Sequence, residues 1–327
     1  RGIFVPNVTF EQKTIELQDG ETVLESLIEA GFDIPNACRA GACHSCLMIV
    51  TEGTPSESSQ DSLKDTQKAQ NYFLPCSCVP DNDLTVAMPA DEDVRISCEV
   101  TGKQELTENI LEIRLKPDTK FDYIGGQYVT LWKGHHDGRS YSLASVHGLD
   151  DELILHIKEI PGGVLSDWLQ ESVSVGQKVD IQGPAGDCFY TADDKTAPLL
   201  LVGTSTGLAP LVGILRDAVH QGHSGDIHLY HGALDMNGLY LIDELKALSE
   251  KHSNVFYHAS IVKGDAPGGV ALGLIDELVM DLAEDFRNYR VYLCGAPELV
   301  ESVKKKVFLK GASMKHIFSD AFLPPAK

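Results

Sequence analysis

Hydrophobic and polar positions follow different rhythms in successive parts of the 327 residues. In TVLESLIEAGFDIPNAC, residues 22–38, Val23, Leu24, Leu27 and Ile28 share one face, which predicts a short amphipathic helix. Further on the period shortens to two. Leu111, Ile113 and Leu115 alternate with Glu112, Arg114 and Lys116, and QYVTLW, SYSLAS, ELILHIKEI and QKVDIQG follow with glycine-rich turns between them. Short strands at this spacing predict a small antiparallel barrel. A third pattern starts with PLLLVG, an unbroken apolar run of the kind a buried parallel strand carries. The turn GTSTGLAP (203–210) comes next, then LVGILRDAVHQG, an amphipathic helix stopping at Gly222. DIHLYHGA, NVFYHASIV and RVYLCGAP repeat the strand pattern, and PELVESVKKKVFLKG reads as a closing helix with Lys304, Lys305 and Lys306 on a solvated face. Two polar stretches, MPADEDVR (88–95) and TADDKTAP (191–198), read as linkers. They divide the chain into units at 1–90, 94–191 and 196–327.

Composition adds exclusions. Hydrophobic residues make up 43% of the chain, enough for real cores. No apolar run approaches the roughly 20 residues of a membrane span. The opening RGIFVPNVTF lacks a charged segment leading into an apolar one, so it does not read as a secretory leader. A cytoplasmic protein with no membrane partner is expected. The net charge of −21 argues against nucleic acid as a partner.

Cysteines change the picture most. Five of the eight lie between 38 and 78. Disulfide frameworks belong to small secreted domains, so this local cluster points to metal ligation. Cys38, Cys43 and Cys46 stand as C-x4-C-x2-C. Structural zinc sites use paired C-x2-C motifs, whereas this run followed by a distant cysteine is the plant-type [2Fe–2S] arrangement. Ala40, Gly41, Ala42 and Ser45 are small enough to let backbone N–H groups approach the sulfurs. CRAGACHSC closely resembles the cluster loop of plant-type ferredoxins. The fourth ligand is Cys76 or Cys78, in FLPCSCVP. The resemblance selects Cys76 and leaves Cys78 as a small apolar filler. It extends over roughly residues 1–90 and implies a β-grasp-like ferredoxin domain.

The barrel region carries GGQYV (125–129), RSYS (139–142), HIK (156–158), GGVLS (162–166) and GPAG (183–186), in that order. Together they resemble the flavin domain of the ferredoxin–NADP reductase superfamily, with Gly125 standing where the family has proline. The resemblance implies an antiparallel flavin-binding β-barrel. It places Arg139 on the flavin diphosphate, Tyr141 against the isoalloxazine and Ser142 at the ring nitrogen that receives hydride. Gly163 and Ser166 would meet the diphosphate beside a helix N-terminus, with Lys158 and the backbone near His156 alongside.

Strand, glycine-rich turn and helix in the third unit follow the logic of dinucleotide binding, although GTSTGLAP is not the G-x-G-x-x-G fingerprint. The turn resembles that of the same superfamily. This implies a parallel-sheet α/β domain with Gly203, Thr204, Thr206 and Gly207 at the nicotinamide cofactor. VYLCGAPELV matches the family's second nicotinamide motif, implying Cys294 and Gly295 beside the transferring ring. SDAF (319–322) resembles the family's C-terminal strand, with Phe322 as a lid over the flavin. Ser142, Cys294 and Phe322 are thus the expected catalytic residues. GALDMNGLYLIDEL (232–245) contains no basic residue and holds Asp235, Asp243 and Glu244, which disfavours a 2′-phosphate and points to NADH. Arg216 and Lys263 are the cations that could still fold into that site.

The module order resembles the reductase components of bacterial multicomponent oxygenases, over essentially the whole chain. In that family NADH reduces FAD, and the [2Fe–2S] cluster passes electrons singly to an oxygenase or another one-electron protein acceptor. Related chains serve deoxysugar dehydratases, and a small-molecule acceptor is a further alternative. A non-catalytic electron carrier would show broken RxYS or CGxP motifs; both are intact. Residues 1–90 hold 13 acidic and 5 basic residues, a net of 5 − 13 = −8, which suits docking to a basic partner surface.

Overall fold

Thr22 opens the first helix with a reciprocal cap. Its hydroxyl accepts from Glu25 N–H at 3.3 Å, while the Glu25 carboxylate accepts from Thr22 N–H at 3.0 Å. The helix, α1 (Val23–Glu29), buries Val23, Leu24 and Leu27. In this computed structural model, which describes residues 5–63, 68, 71–89, 95–134, 137–191 and 194–322, α1 lies against a mixed sheet. The strands run β1 (Asn7–Phe10), β2 (Lys13–Glu16), β3 (Met48–Glu52), β4 (Tyr72–Phe73) and β5 (Leu84–Ala87), in the spatial order β2-β1-β5-β3-β4. β1 pairs with β5 in parallel, and the other ladders are antiparallel. One apolar core fills this unit, from Val8 and Leu24 to Met48, Phe73 and Cys78.

The second sheet is antiparallel throughout. It comprises β6 (Ile96–Thr107), β7 (Ile110–Pro117), β8 (Tyr128–Lys133), β9 (Asp137–Ser142), β10 (Leu153–Lys158) and β11 (Lys178–Ala185), ordered β10-β7-β6-β11-β8-β9. An antiparallel bridge from Leu143 to Leu155 brings the two edges together, so the sheet curls into a barrel. Helix α2 (Val164–Glu171) closes it, burying Leu165 and Leu169 in the barrel core.

The third sheet is parallel, ordered β15-β14-β13-β12-β16-β17. Its strands are β12 (Leu199–Thr204), β13 (Ile227–Ala233), β14 (Val255–Ile261), β15 (Val270–Leu272), β16 (Arg290–Gly295) and β17 (Ile317–Ala321). The helices are α3 (Leu208–His220), α4 (Ile242–Lys251), α5 (Ile275–Leu278) and α6 (Pro297–Leu309). Residues of α3 and α4 share one core with one face of the sheet, and α5 and α6 share another with the opposite face. This accounts for the unbroken apolar run of β12, whose Leu199, Leu200, Leu201 and Val202 are all fully buried. Lys306 departs from the expected solvated row: its ammonium pairs with Asp276 at 2.7 Å.

The barrel and the parallel unit share a seam. Ile110 and Ala144 of the barrel belong to the same apolar cluster as Leu208 and Leu211. Arg216 of α3 holds Asp150 of the barrel through two bonds of 2.8 Å. A Cβ on Gly125 would sit 2.8 Å from Gly213 O, and one on Gly213 would sit 2.6 Å from Leu143 O. The departure from proline at 125 therefore has a steric reason: helix α3 passes too close for a ring. Glu112 departs from the alternation of its strand. It is buried, bonded to Arg114 at 2.8 Å and 3.8 Å from His156, because the seam covers the face that would otherwise meet water. Residues 90–94 of the first linker and 192–193 of the second lie outside the described residues.

Candidate functional site

The loop between α1 and β3 winds through left-handed residues: Arg39 (φ 51°), Gly41 (φ 68°) and His44 (φ 57°). That winding turns amides onto sulfur. Ala40 N–H and Cys43 N–H donate to Cys38 Sγ at 3.4 and 3.3 Å, Cys38 N–H to Cys43 Sγ at 3.3 Å, and Gly41 N–H to Cys76 Sγ at 3.3 Å. Cys76 reaches the loop from a tight turn, Pro75–Ser77. Val23 N–H donates to Cys78 O at 2.9 Å, tying that turn to the start of α1. The Cys78 side chain points the other way, fully buried in the core.

The Cys38 and Cys43 thiols interact with one another, as do those of Cys46 and Cys76, which lowers Cys38 and Cys76 and raises Cys43 and Cys46. Among the described residues no three His, Cys, Asp or Glu side chains close on a point that one metal ion could fill. Two thiol pairs with inward-facing amides suit a two-iron cluster instead, with two thiolates for each iron.

Ser142 ends β9 and is buried. Its hydroxyl donates to Asp320 Oδ2 at 3.2 Å, across 178 residues of sequence. β17 delivers Asp320 because it pairs in parallel with β16, setting Cys294 beside Asp320 and Gly295 beside Ala321. Phe322 follows directly, its N–H donating to Gly295 O at 2.8 Å. Three expected residues, Ser142, Cys294 and Phe322, thus converge around a carboxylate that sequence reasoning missed. The available signal was an acid in SDAF, a segment whose sheet neighbour β16 is almost wholly apolar.

The other flavin-side residues divide. Arg139 is exposed, its guanidinium donating to Gly138 O at 2.6 Å. The Tyr141 ring packs against the barrel core, and burial pushes its phenol up to about 12. Gly163 caps α2, and Ser166 Oγ staples the turn before it, accepting from Ile160 N–H at 3.2 Å. A Cβ on Gly163 would meet Ser166 Oγ at 2.5 Å, while one on Gly162 would meet nothing within 4 Å. That leaves an open approach over the helix end, a fit for an anionic diphosphate. Lys158 is exposed at the end of β10. The His156 side chain turns into the seam, 3.1 Å from Tyr240 Oη, and burial lowers it to about 3. Only its backbone is left for a ligand.

At the nicotinamide end, Gly203, Thr204, Thr206 and Gly207 form the turn from β12 into α3. A Cβ on Gly207 would lie 2.4 Å from Cys294 O, and Gly295 (φ 117°) packs against Thr204. The two glycine turns lie backbone to backbone at the carboxyl ends of adjacent parallel strands, where this class of fold binds ligands. The Cys294 thiol is fully buried, 3.7 Å from Cys188 Sγ, and burial raises it well above the ordinary thiol range. It is a poor nucleophile, so what it offers a cofactor is shape and backbone. Arg216 is held by Asp150 and does not reach the acidic loop after β13, whereas Lys263 Nζ lies 3.8 Å from Asp235 Oδ2.

Three family descriptions match the three units in turn. Residues 8–81 match the 2Fe-2S iron-sulfur cluster binding domain, 97–190 the oxidoreductase FAD-binding domain and 201–305 the oxidoreductase NAD-binding domain. The reductase component of the naphthalene 1,2-dioxygenase system of Pseudomonas putida, a ferredoxin–NAD(P)(+) reductase, is 31% identical over 95% of this chain and 96% of its own. The chain belongs to the iron–sulfur flavoprotein reductases of oxygenase systems. The aromatic O-demethylase reductase subunit of an Amycolatopsis species is 30% identical over 95% of this chain and 97% of its own. The crystal structure of the Amycolatopsis cytochrome P450 reductase GcoB superposes with a TM-score of 0.71, at 28% identity, covering 98% of this chain and 99% of that one. The reductase is an oxidoreductase with 2Fe-2S, FAD and NAD modules, and no helix among its described residues is long and apolar enough to cross a membrane.

The Ser142–Asp320 pair should give this reductase a pH signature. Burial pushes the Asp320 carboxyl up to about 6, the Ser142 bond pulls against that, and the Asp187 charge adds to it. Tyr128 and Cys294 are the other titratable groups facing it. Below about pH 6 the acid is neutral; above it, the carboxylate takes the Ser142 proton in a hydrogen bond and leaves the serine oxygen free to accept one. The rate of flavin reduction by NADH should therefore rise with pH through about 6. The expected amplitude is about tenfold, the scale of a hydrogen bond to a charged group. Asp320→Asn should flatten the profile; an inflection that survives in that variant assigns the titration elsewhere.

Proposed function

We propose that this reductase takes two electrons from NADH and releases them singly to an oxygenase component in the cytoplasm. Cys38, Cys43, Cys46 and Cys76 would hold the cluster. Arg139, Tyr141, Ser142, Lys158, Gly163, Ser166 and the His156 backbone would seat FAD, and the two glycine turns would seat the nicotinamide. The units would be 1–90, 94–191 and 196–327. When bound, the flavin supplies the exchange between a two-electron donor and the one-electron cluster.

The observation that carries this reading is the meeting of Ser142, Asp320, Phe322 and the Cys294–Gly295 turn, contributed by both the barrel and the parallel unit. Ser142, bonded to Asp320, would stand at the hydride-receiving position, and Phe322, two residues after Asp320, would exclude water from it. NADH is favoured over NADPH because Asp235 lies in the loop after β13, with Lys263 paired to it and Arg216 turned away. The partner is read from the relatives' roles and from the acidic 1–90 unit.

Anaerobic stopped-flow mixing with NADH and then NADPH tests the reading across the visible spectrum. Flavin bleaching should come first and loss of cluster absorbance second, both much faster with NADH. Equal rates with the two nucleotides would remove the specificity assignment; a flavin that bleaches while the cluster stays oxidised would remove the electron route.

A further inference from the structure

The barrel touches the cluster loop directly. Tyr128, at the start of β8, donates its phenol hydrogen to Ala42 O, the carbonyl one residue before Cys43. Across the β8–β9 ladder Tyr128 lies opposite Ser142. Its ring rests against Gly186, where a Cβ would come within 3.0 Å of two ring carbons. Gln182, on the neighbouring strand β11, adds a second bridge, donating to His44 O at 3.3 Å. Both contacts grip the loop on either side of Cys43.

We infer that Tyr128 is the positioning residue that fixes the cluster loop against the flavin barrel and provides a bonded path from the Ser142 strand pair to Cys43. The inference rests on the proposed electron route. Electron tunnelling weakens steeply across empty space and less across covalent and hydrogen bonds. Next to the Tyr128–Ser142 pair Leu143 N–H donates to Gln127 O at 2.7 Å, so backbone bonds from Ser142 to Tyr128 followed by one phenol–carbonyl bond span the gap between the units without a through-space jump. Each crossing would carry one electron into the cluster, which would hand it to the one-electron protein acceptor before the next crossing. Two such rounds would discharge the pair that one NADH delivers, and the phenol would stay reduced and protonated. Sequence pattern does not reveal the role, because Tyr128 reads as an ordinary strand aromatic and its partner lies 86 residues away.

The test uses full-length holoprotein carrying Tyr128→Phe, which keeps the ring on Gly186 and removes only the donor, with Tyr128→Leu as a second variant. In stopped flow the wild type should show flavin reduction and then cluster reduction. In Tyr128→Phe the first step should stay at its wild-type rate and the second should slow at least about fivefold, the factor one net hydrogen bond carries. Tyr128→Leu should slow the second step further. Amide hydrogen exchange supplies a readout independent of turnover: loop 38–46 should exchange at least about fivefold faster in Tyr128→Phe, the same factor. Unchanged cluster reduction with unchanged exchange overturns the inference while leaving the electron route intact. Equal slowing of both steps also overturns it, since Tyr128 would then belong to the flavin seat. A wild-type cluster that never reduces overturns the route itself, and the inference with it.

Discussion

Cys76→Ala should strip the iron–sulfur cluster from this reductase, and Cys78→Ala should leave it in place. The two thiols are two residues apart in a sequence that reads almost symmetrically around Ser77, yet the turn sends them in opposite directions. Cys76 Sγ accepts from Gly41 N–H within the cluster loop and pairs with Cys46. Cys78 is fully buried among Leu24, Leu27 and Phe73, so its loss leaves a small core cavity. Removing one of four thiolates leaves an iron with an open position that no neighbouring cysteine can reach without unwinding the Val23–Cys78 bond. The expected result for Cys76→Ala is near-complete loss of iron, acid-labile sulfide and the visible cluster bands. Flavin content should hold, because the barrel has its own core. Cys78→Ala should keep full iron at a stability cost of about 1 kcal/mol, typical of a point change. Iron retained by Cys76→Ala and lost from Cys78→Ala would reverse the ligand assignment.

The parts legible in the sequence are those whose information is local. The spacing of Cys38, Cys43 and Cys46 fits the two thiol pairs, because a cluster loop is short and its ligands follow chain order. The antiparallel barrel and the parallel sheet were legible because each face of a sheet imposes a period on its own strand, whereas the first unit's sheet was implied only by the resemblance of its cluster loop. The illegible parts are contacts between units. Glu112 is polar and alternates as an exposed position should, yet Tyr240 and His156 cover it; nothing within strand β7 records that a second unit packs there. Arg216 sits on an amphipathic helix like any surface arginine, and its bidentate partner Asp150 belongs to another sheet. Asp320 and Tyr128 escaped for the same reason, since their partners are 178 and 86 residues away. Gly125 was legible only as a departure. Its cause became visible when Gly213 was found against it, two glycines permitting one close approach of backbones.

That same logic of close approach makes Gly207 the position where a single methyl should do most damage to nicotinamide chemistry. Its backbone, φ −60° and ψ −13°, is ordinary helical geometry, so alanine brings no torsional strain and would even favour the start of α3. The whole effect must come from contact. An added Cβ would lie 2.4 Å from Cys294 O, 2.7 Å from Cys294 C and 2.8 Å from Gly295 Cα, all backbone atoms with no side-chain rotamer to yield. The two turns must move apart. Cys294 and Gly295 are paired in register with Asp320 and Ala321, and Gly295 O holds Phe322 N–H, so the displacement carries to the carboxylate on Ser142 and to the aromatic beside it. A misplacement of about 1 Å at reacting groups costs about 100-fold in rate, which is the expected fall in flavin reduction by NADH for Gly207→Ala. Dithionite should still reduce both flavin and cluster, since it delivers electrons without using the nicotinamide turns. Gly268→Ala is the matched control, because a Cβ there meets nothing within 4 Å and the backbone lies outside the left-handed region. If NADH reduces the Gly207→Ala protein as fast as the Gly268→Ala protein, the two turns are not the nicotinamide seat, and the cofactor binds on another part of the sheet edge.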